Sequence, residues 1–201
     1  HYETLEGRIK VKIIAYFSIP KTTNKEQRKE MLENKISPTK KPDIDNIIKI
    51  INDCKVCHVA FFDNEYPYIV PMTFGMEVTD DKQLNIYFHG AKEGRKHDLI
   101  KRNNKVSFVM ENIYDIVTGP QVGACECTME FECVMGTGII EYVSENEKVT
   151  SLTTMLRHYN IKEGKNYHFH YEVVPKIHVL RLHVNSLSAK KRKVSSQKQY
   201  F

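Results

Sequence analysis

No tryptophan occurs in this sequence, so 11 Tyr and 9 Phe supply all of its aromatic bulk. Nor is there an apolar run approaching the roughly 20 residues that cross a bilayer, or the residue succession of a secretory signal. These absences argue against a membrane protein and place the chain in the cytoplasm. The cysteines number 5, and an odd count without export signals points to reduced thiols rather than a disulfide framework. The sequence starts at His1, as a processed or truncated chain would. No internal repeat or low-complexity segment interrupts it. What is present is ordinary for a globular protein: 41% hydrophobic and 27% charged residues over 201 positions. A domain of roughly 150 residues buries about 68–70% of its unfolded surface, so a core forms without staples. The formal charge of +5 is mild. Its excess lies largely in 21–41 and in the run Lys190, Lys191, Arg192, Lys193. Such clusters hold nucleic acid or an anionic phosphate in some proteins and are solvated surface in more of them.

Residues 8–19 alternate and are rich in β-branched and aromatic side chains, which predicts a strand ended by Pro20. Residues 22–34 read as a charged helix with Thr23 as N-cap and a thin apolar face of Met31 and Leu32. A loop rich in proline and lysine covers 36–42. Residues 43–53 then carry Ile44, Ile47, Ile48 and Ile51 at the spacing of one buried helical face. The texture afterwards turns to β. Strands are expected at 56–62 and 66–74 around an Asp63-Asn64-Glu65 hairpin turn. Further strands follow at 82–89 after a Thr79-Asp80-Asp81 turn, and at 106–110, 128–135, 138–143 and 177–184. Helices are expected at 94–103 and 145–159. The pattern predicts a mainly β (α+β) fold: an antiparallel barrel or sheet with short peripheral helices.

The run from Tyr87 to Lys96 (YFHGAKEGRK) is the most informative stretch. It passes from strand through a small-residue turn into a helix start. Gly90 and Gly94 let backbone N–H groups approach an anion, and a helix N-terminus offers unpaired donors and a favourable dipole. Lys92, Arg95 and Lys96 add charge-assisted hydrogen bonds, roughly twice as strong as neutral ones. A phosphate site is one reading; a tight turn before a basic solvent-facing helix is the other.

Three blocks in order, Asp63-Asn64 before Tyr66-Pro67-Tyr68-Ile69-Val70-Pro71, then Phe88-His89-Gly90-Ala91 with Gly94 and Lys96, then Lys105-Val106-Ser107-Phe108, resemble one family. This is the nitroimidazole-resistance (Nim) branch of the pyridoxamine 5′-phosphate oxidase-like flavoproteins. The likeness continues through Cys125 to Gly138 and the last strand. It implies a split β-barrel homodimer with flavin mononucleotide (FMN) in a cleft between subunits. It implies that Val70, Pro71, Met72 and Thr73 line the isoalloxazine ring. His89, Lys92, Gly94 and Lys96 would surround the ribityl phosphate or sit beside the ring, with His89 near the reacting centre. An electron donor would reduce the flavin, which would pass electrons to a nitroaromatic or similar small molecule. Other members of this fold bind flavin or haem without turnover.

The first 45 residues read differently. Lys40-Lys41-Pro42-Asp43-Ile44-Asp45-Asn46 with Lys49 resembles the RusA family of Holliday-junction resolvases. That likeness implies Mg²⁺ held by Asp43 and Asp45, with Lys49 at the scissile phosphate of branched DNA. The family's further aspartate is missing, because the chain by then follows the flavoprotein pattern. Helix capping by the same acids, worth roughly 0.3–1 kcal/mol, is the competing account. The expected organisation is therefore a RusA-like fragment at 1–45, the flavin domain at 46–193 and a tail at 194–201.

The remaining metal-ligating types are read as structural. Cys54 and Cys57 with His58, and Cys125 with Cys127, have the spacing of zinc knuckles, but small buried hydrophobes account for them better. His168 and His170 would share one face of a strand, yet no third ligand accompanies them.

Overall fold

The computed structural model describes residues 12–16, 24–26, 29, 44–81, 83–118 and 123–192. In chain order these hold β1 (Lys12–Tyr16), α1 (Ile44–Asp53), β2 (Cys57–Phe61), β3 (Tyr68–Met72), β4 (Gly75–Val78) and β5 (Leu84–Ala91). There follow α2 (Arg95–Arg102), β6 (Lys105–Val117), β7 (Thr128–Tyr142), α3 (Lys148–His158) and β8 (Ile177–Arg192). The sheet runs β3-β2-β6-β7-β8-β5-β4, every neighbour antiparallel, and β1 lies parallel to β8 with Lys12 opposite Ser186. This is a mainly β, split-barrel-like fold with short helices at its margins. No helix among the described residues is long and apolar enough to cross a membrane.

Alternation builds the interior. Cys57, Val59 and Phe61 of β2, Val106, Phe108 and Met110 of β6, and Leu180, Leu182 and Val184 of β8 point into one core. Two helices seal it. Ile47, Ile50 and Ile51 of α1 are buried, so the helix turns Ile50 inward where the heptad-like stripe predicted Ile48, which is half-buried. Leu99 and Ile100 of α2 close the same core. The third helix packs on the outside, where Met155 joins Tyr87, Val143 and Val179 in a second cluster. There the α3 backbone presses on β4: a Cβ at Gly75 would meet Met155 Cα at 2.4 Å.

Several expected boundaries shift for a common reason. The strands predicted at 128–135 and 138–143 are one strand, β7, with a register shift between Thr137 and Gly138. Gly136 and Gly138 look like breakers in sequence. Each in fact marks a crowded site, since a Cβ at Gly136 would meet Phe108 Cζ at 2.5 Å and one at Gly138 would meet the His183 carbonyl at 2.1 Å. β6 and β8 likewise run past their predicted ends, because each is paired along the extra length with β7. The strand β4 was not anticipated at all. The predicted strand at 8–19 is seen in 12–16. Of the predicted helix at 22–34, Lys25, Glu26 and Lys29 are helical, and the rest lies outside the described residues.

Candidate functional site

The turn that leaves β5 carries the site. Backbone pairing holds β5 against β8 through Ala91, opposite Ile177, and the chain then reverses into α2. Gly94 is the residue before the helix and has φ +125°, a conformation that glycine alone adopts without strain. Nothing lies within 4 Å of the position its Cβ would take, and no side chain caps the helix. The first turn of α2 is thus without a side-chain cap, and its His97 N–H donates to the Gly94 carbonyl at 2.9 Å. Lys96 folds back over Gly90, so that a Cβ there would meet Lys96 Nζ at 2.8 Å. His89 reaches solvent, yet the protein around its ring and then the Lys96 ammonium lower its pKa from 6.5, favouring neutral imidazole. Lys92 is exposed beside them.

Arg95 ties this turn to the β2–β3 hairpin. Its guanidinium is hydrogen-bonded to the Asp63 carboxylate and lies 5.2 Å from the centroid of the Tyr68 ring. Arg102, two turns on, adds a second ion pair to Asp63 at 3.5 Å. Asp63 is only 8% exposed, and two arginines from one helix face answer its charge. The hairpin turn itself is closed by Tyr66 N–H donating to the Asp63 carbonyl and by Asn64 at φ 47°.

The segment from Val70 to Thr73 leaves this hairpin. Val70 is half-buried on the inner face, Pro71 is exposed beside His58, and Thr73 is exposed. Met72 points into the core, so only its backbone is free to meet a ligand. Gly75 pairs with Tyr87, which carries the β3–β4 connection to the part of β5 that leads to His89. This connection is held from α3. The Tyr159 hydroxyl accepts from Phe74 N–H at 3.0 Å and donates to the Lys55 carbonyl at 2.8 Å. The ring of His158 lies 4.3 Å from that of Phe74.

The outer face of β2, β3, β6, β7 and β8 forms an open groove of about 430 Å³, lined by His58, Ala60, Ile69, Val109, Met135 and Leu187 among others. Ile69 is 57% exposed in it.

The other candidate residues are not brought together. Asp45 and Lys49 lie on the exposed side of α1, and Asp43 is outside the described residues. No group of three or more His, Cys, Asp or Glu able to hold a metal occurs among the described residues. Cys54 and Cys57 are buried; burial, and then Glu111 for Cys54 and Cys54 for Cys57, raise both thiols, that of Cys54 to about 12. Cys125 and Cys127 depart from expectation. They are exposed in a 3-10 turn and the residue before β7, where no strand pairing buries them. His168 and His170 are likewise exposed in irregular chain rather than on a strand.

These parts define a class: a split-barrel-like protein with a glycine-containing basic turn leading from β5, the neighbour of edge strand β4, into a helix. The sequence model of the pyridoxamine 5′-phosphate oxidase family matches residues 43–191, and the chain belongs to that family. The matched segment takes in Asp45 and Lys49, so the resolvase reading of the N-terminal part has no support and its Mg²⁺ site is withdrawn. Among solved structures, the chain is similar to a Bacteroides thetaiotaomicron protein assigned to 5-nitroimidazole antibiotic resistance. The two are 27% identical over 74% of this chain and 83% of that one, with a TM-score of 0.61. The fold is shared with the flavocytochrome Anf3 of Azotobacter vinelandii at 19% identity, 76% and 68% coverage and TM-score 0.60. It is shared also with an FAD- and haem-binding protein of Mycobacterium smegmatis at 13% identity, 76% and 72% coverage and TM-score 0.65. A comparison with curated proteins returns no match.

A flavin is the cofactor this fold family implies, and the residues present fit its phosphate. The turn offers a helix N-terminus that no side chain caps, an ammonium at Lys96 and a glycine at position 90 whose missing Cβ leaves Lys96 its place.

Proposed function

We propose that the protein is an FMN-dependent oxidoreductase that reduces nitroaromatic or similar small molecules. The observation that carries this reading is the Gly90–Lys96 turn, where Gly94 at positive φ precedes a helix N-terminus without a side-chain cap and the Lys96 ammonium lies over Gly90. Lys92 and Lys96 neutralise the phosphate, while backbone N–H groups after Gly94 orient it. Val70, Pro71 and Thr73, with the backbone of Met72, flank the ring. When bound, the flavin supplies the redox chemistry, accepting electrons from a donor and giving them to the substrate. Neutral His89 stands beside this space, able to hand a proton to a reduced substrate or take one from it. The likeness to the Bacteroides protein, named for nitroimidazole resistance, supports nitro compounds as substrates. FMN is favoured over a dinucleotide because the turn provides one compact anion site.

The working unit is a homodimer. The apolar groove across the outer sheet face exposes Ile69 and Val109 beside the segment from Val70 to Thr73, and a second copy covering it would complete a cleft at the ring position. Absorption spectroscopy of the purified protein, followed by release of the chromophore, tests the proposal. FMN near one per subunit and donor-dependent nitro reduction are expected. Protein that is colourless and refuses added flavin overturns the proposal.

A further inference from the structure

Directly under the phosphate turn sits a buried imidazole that no part of the proposed chemistry uses. His97 is 2% exposed in the first turn of α2. Its Nε2 lies 2.7 Å from the Ala91 carbonyl, and its Nδ1 lies 3.0 Å from the Tyr142 hydroxyl. A carbonyl only accepts, so Nε2 carries the proton and donates to Ala91. Nδ1 is then the acceptor, and the Tyr142 hydroxyl donates to it. One tautomer is thereby selected. The ring is stacked with that of Tyr142 at 5.8 Å and tilted against that of His178 at 5.1 Å.

The consequence is geometric. Ala91 ends β5 and His97 lies in the helix, so the Nε2–H···O=C bond closes the loop that contains Lys92, Gly94 and Lys96. The His97 N–H also donates to the Gly94 carbonyl at 2.9 Å. Without this staple, the glycine-rich turn has no side-chain bond across its neck among the described residues, and its donors lose their common aim. We infer that His97 is a positioning residue for the phosphate turn, acting through the Nε2–H tautomer that the Ala91 carbonyl selects. The inference rests on the flavin reading above and adds the residue that preorganises its phosphate site.

The groups that face the ring, taken together, oppose its protonation. Burial first, and then Lys96 and Lys101 of α2, lower its pKa. The Ala91 bond and Asp98 act the other way. His178 of β8 is held low by burial, by His97, and by Lys148 and Lys92, while Glu145 opposes them. Tyr142 of β7 is the remaining titratable neighbour. A proton on Nδ1 would reverse the Tyr142 bond, the hydroxyl then accepting from the ring.

The test compares FMN with riboflavin, which has the same ring and no phosphate, by fluorescence titration of wild type, His97→Phe, His97→Gln and Tyr142→Phe. Phe keeps the packed ring and loses both hydrogen bonds. Gln retains an N–H donor toward Ala91 and a carbonyl acceptor toward Tyr142. The expected result is that His97→Phe weakens FMN roughly tenfold and leaves riboflavin unchanged, the order of one hydrogen bond's contribution to binding. His97→Gln should restore FMN to within about twofold of wild type, and Tyr142→Phe, which removes only a hydroxyl, should weaken FMN by less than His97→Phe does. Equal weakening of both ligands, or of neither, overturns the positioning role while leaving the flavin reading intact. Wild-type protein that binds neither ligand, or binds both equally, overturns the phosphate site itself and the inference with it.

Discussion

At the scale of single residues, Lys96 and Gly90 act as a pair. Lys96→Ala removes a charge-assisted partner of the phosphate and should weaken FMN by roughly 10- to 100-fold, the equivalent of about 1.5–3 kcal/mol, read by the same titration. Gly90→Ala should reproduce part of this loss with little change in melting temperature. Its Cβ would meet only the mobile end of Lys96, which can move away without disturbing the fold. Titration adds a second residue-scale outcome. His89, His97, His158 and His178 all have pKa values lowered from 6.5, with burial the largest cause in each. A lowered histidine pKa means that the unfolded chain binds protons that the folded one refuses. Stability therefore rises with pH through this window, and it falls as pH drops below about 6.5 until the folded groups protonate as well. Melting temperature should be nearly flat above about pH 7.5 and decline toward pH 5. The decline should be smaller in His97→Gln, measured by scanning calorimetry. These residues were unequally legible. Gly94 and Lys96 stand in a readable motif, but nothing in the sequence marks His97, because its partners lie on β7 and β8, 45 and 81 positions away.

At the scale of elements, α3 and β4 are joined where a side chain has been given up. Gly75 lets the α3 backbone approach β4, and any larger residue must push the helix outward. Gly75→Val should destabilise the protein by about 1–3 kcal/mol in a urea titration, and should loosen the contacts of Tyr159 with Phe74 and Lys55 on the same helix end. The segment carrying Thr73 would lose its anchor with it. A hydrophobic-pattern reading finds the helix at 145–159 but not its docking site, since Gly75 reads as a break after a strand. For the same reason β4 was missed: Gly75, Met76, Glu77 and Val78 do not alternate strongly, and pairing with β5 makes them a strand. Hydrogen bonds across a sheet decide such marginal segments, and a one-dimensional pattern carries no information about them.

At the scale of the whole molecule, the exposed apolar face of the sheet sets the expected assembly. Ile69→Glu or Val109→Glu places a charge in the groove while leaving the core untouched. Either variant should shift sedimentation from dimer to monomer and lower FMN occupancy, because half of the proposed cleft would leave with the partner. Dimeric variants with full occupancy would separate flavin binding from assembly. The N-terminal part is a lesson in how far a short motif reaches. The pair Asp43 and Asp45 resembles a resolvase signature, yet the helix that bears it turns Ile47, Ile50 and Ile51 into the barrel core. The family match starts at 43, so this helix lies within the segment that the pyridoxamine 5′-phosphate oxidase family model covers. Isoleucine at helical spacing satisfies any core, so the sequence of α1 alone was compatible with either fold.

The β-rich texture, the family, and the turn from His89 to Lys96 are legible in the amino-acid order alone. These follow from alternation, helical spacing and small residues near one another in the chain, where local sterics and hydration act. The union of β7 into one strand, the burial of Asp63 between Arg95 and Arg102, and the packing of His97 against Tyr142 and His178 come only with the closed fold. Those outcomes depend on hydrogen bonds and packing between segments far apart in sequence. Their energies exist only once the chain has closed on itself, and no single stretch of residues records them.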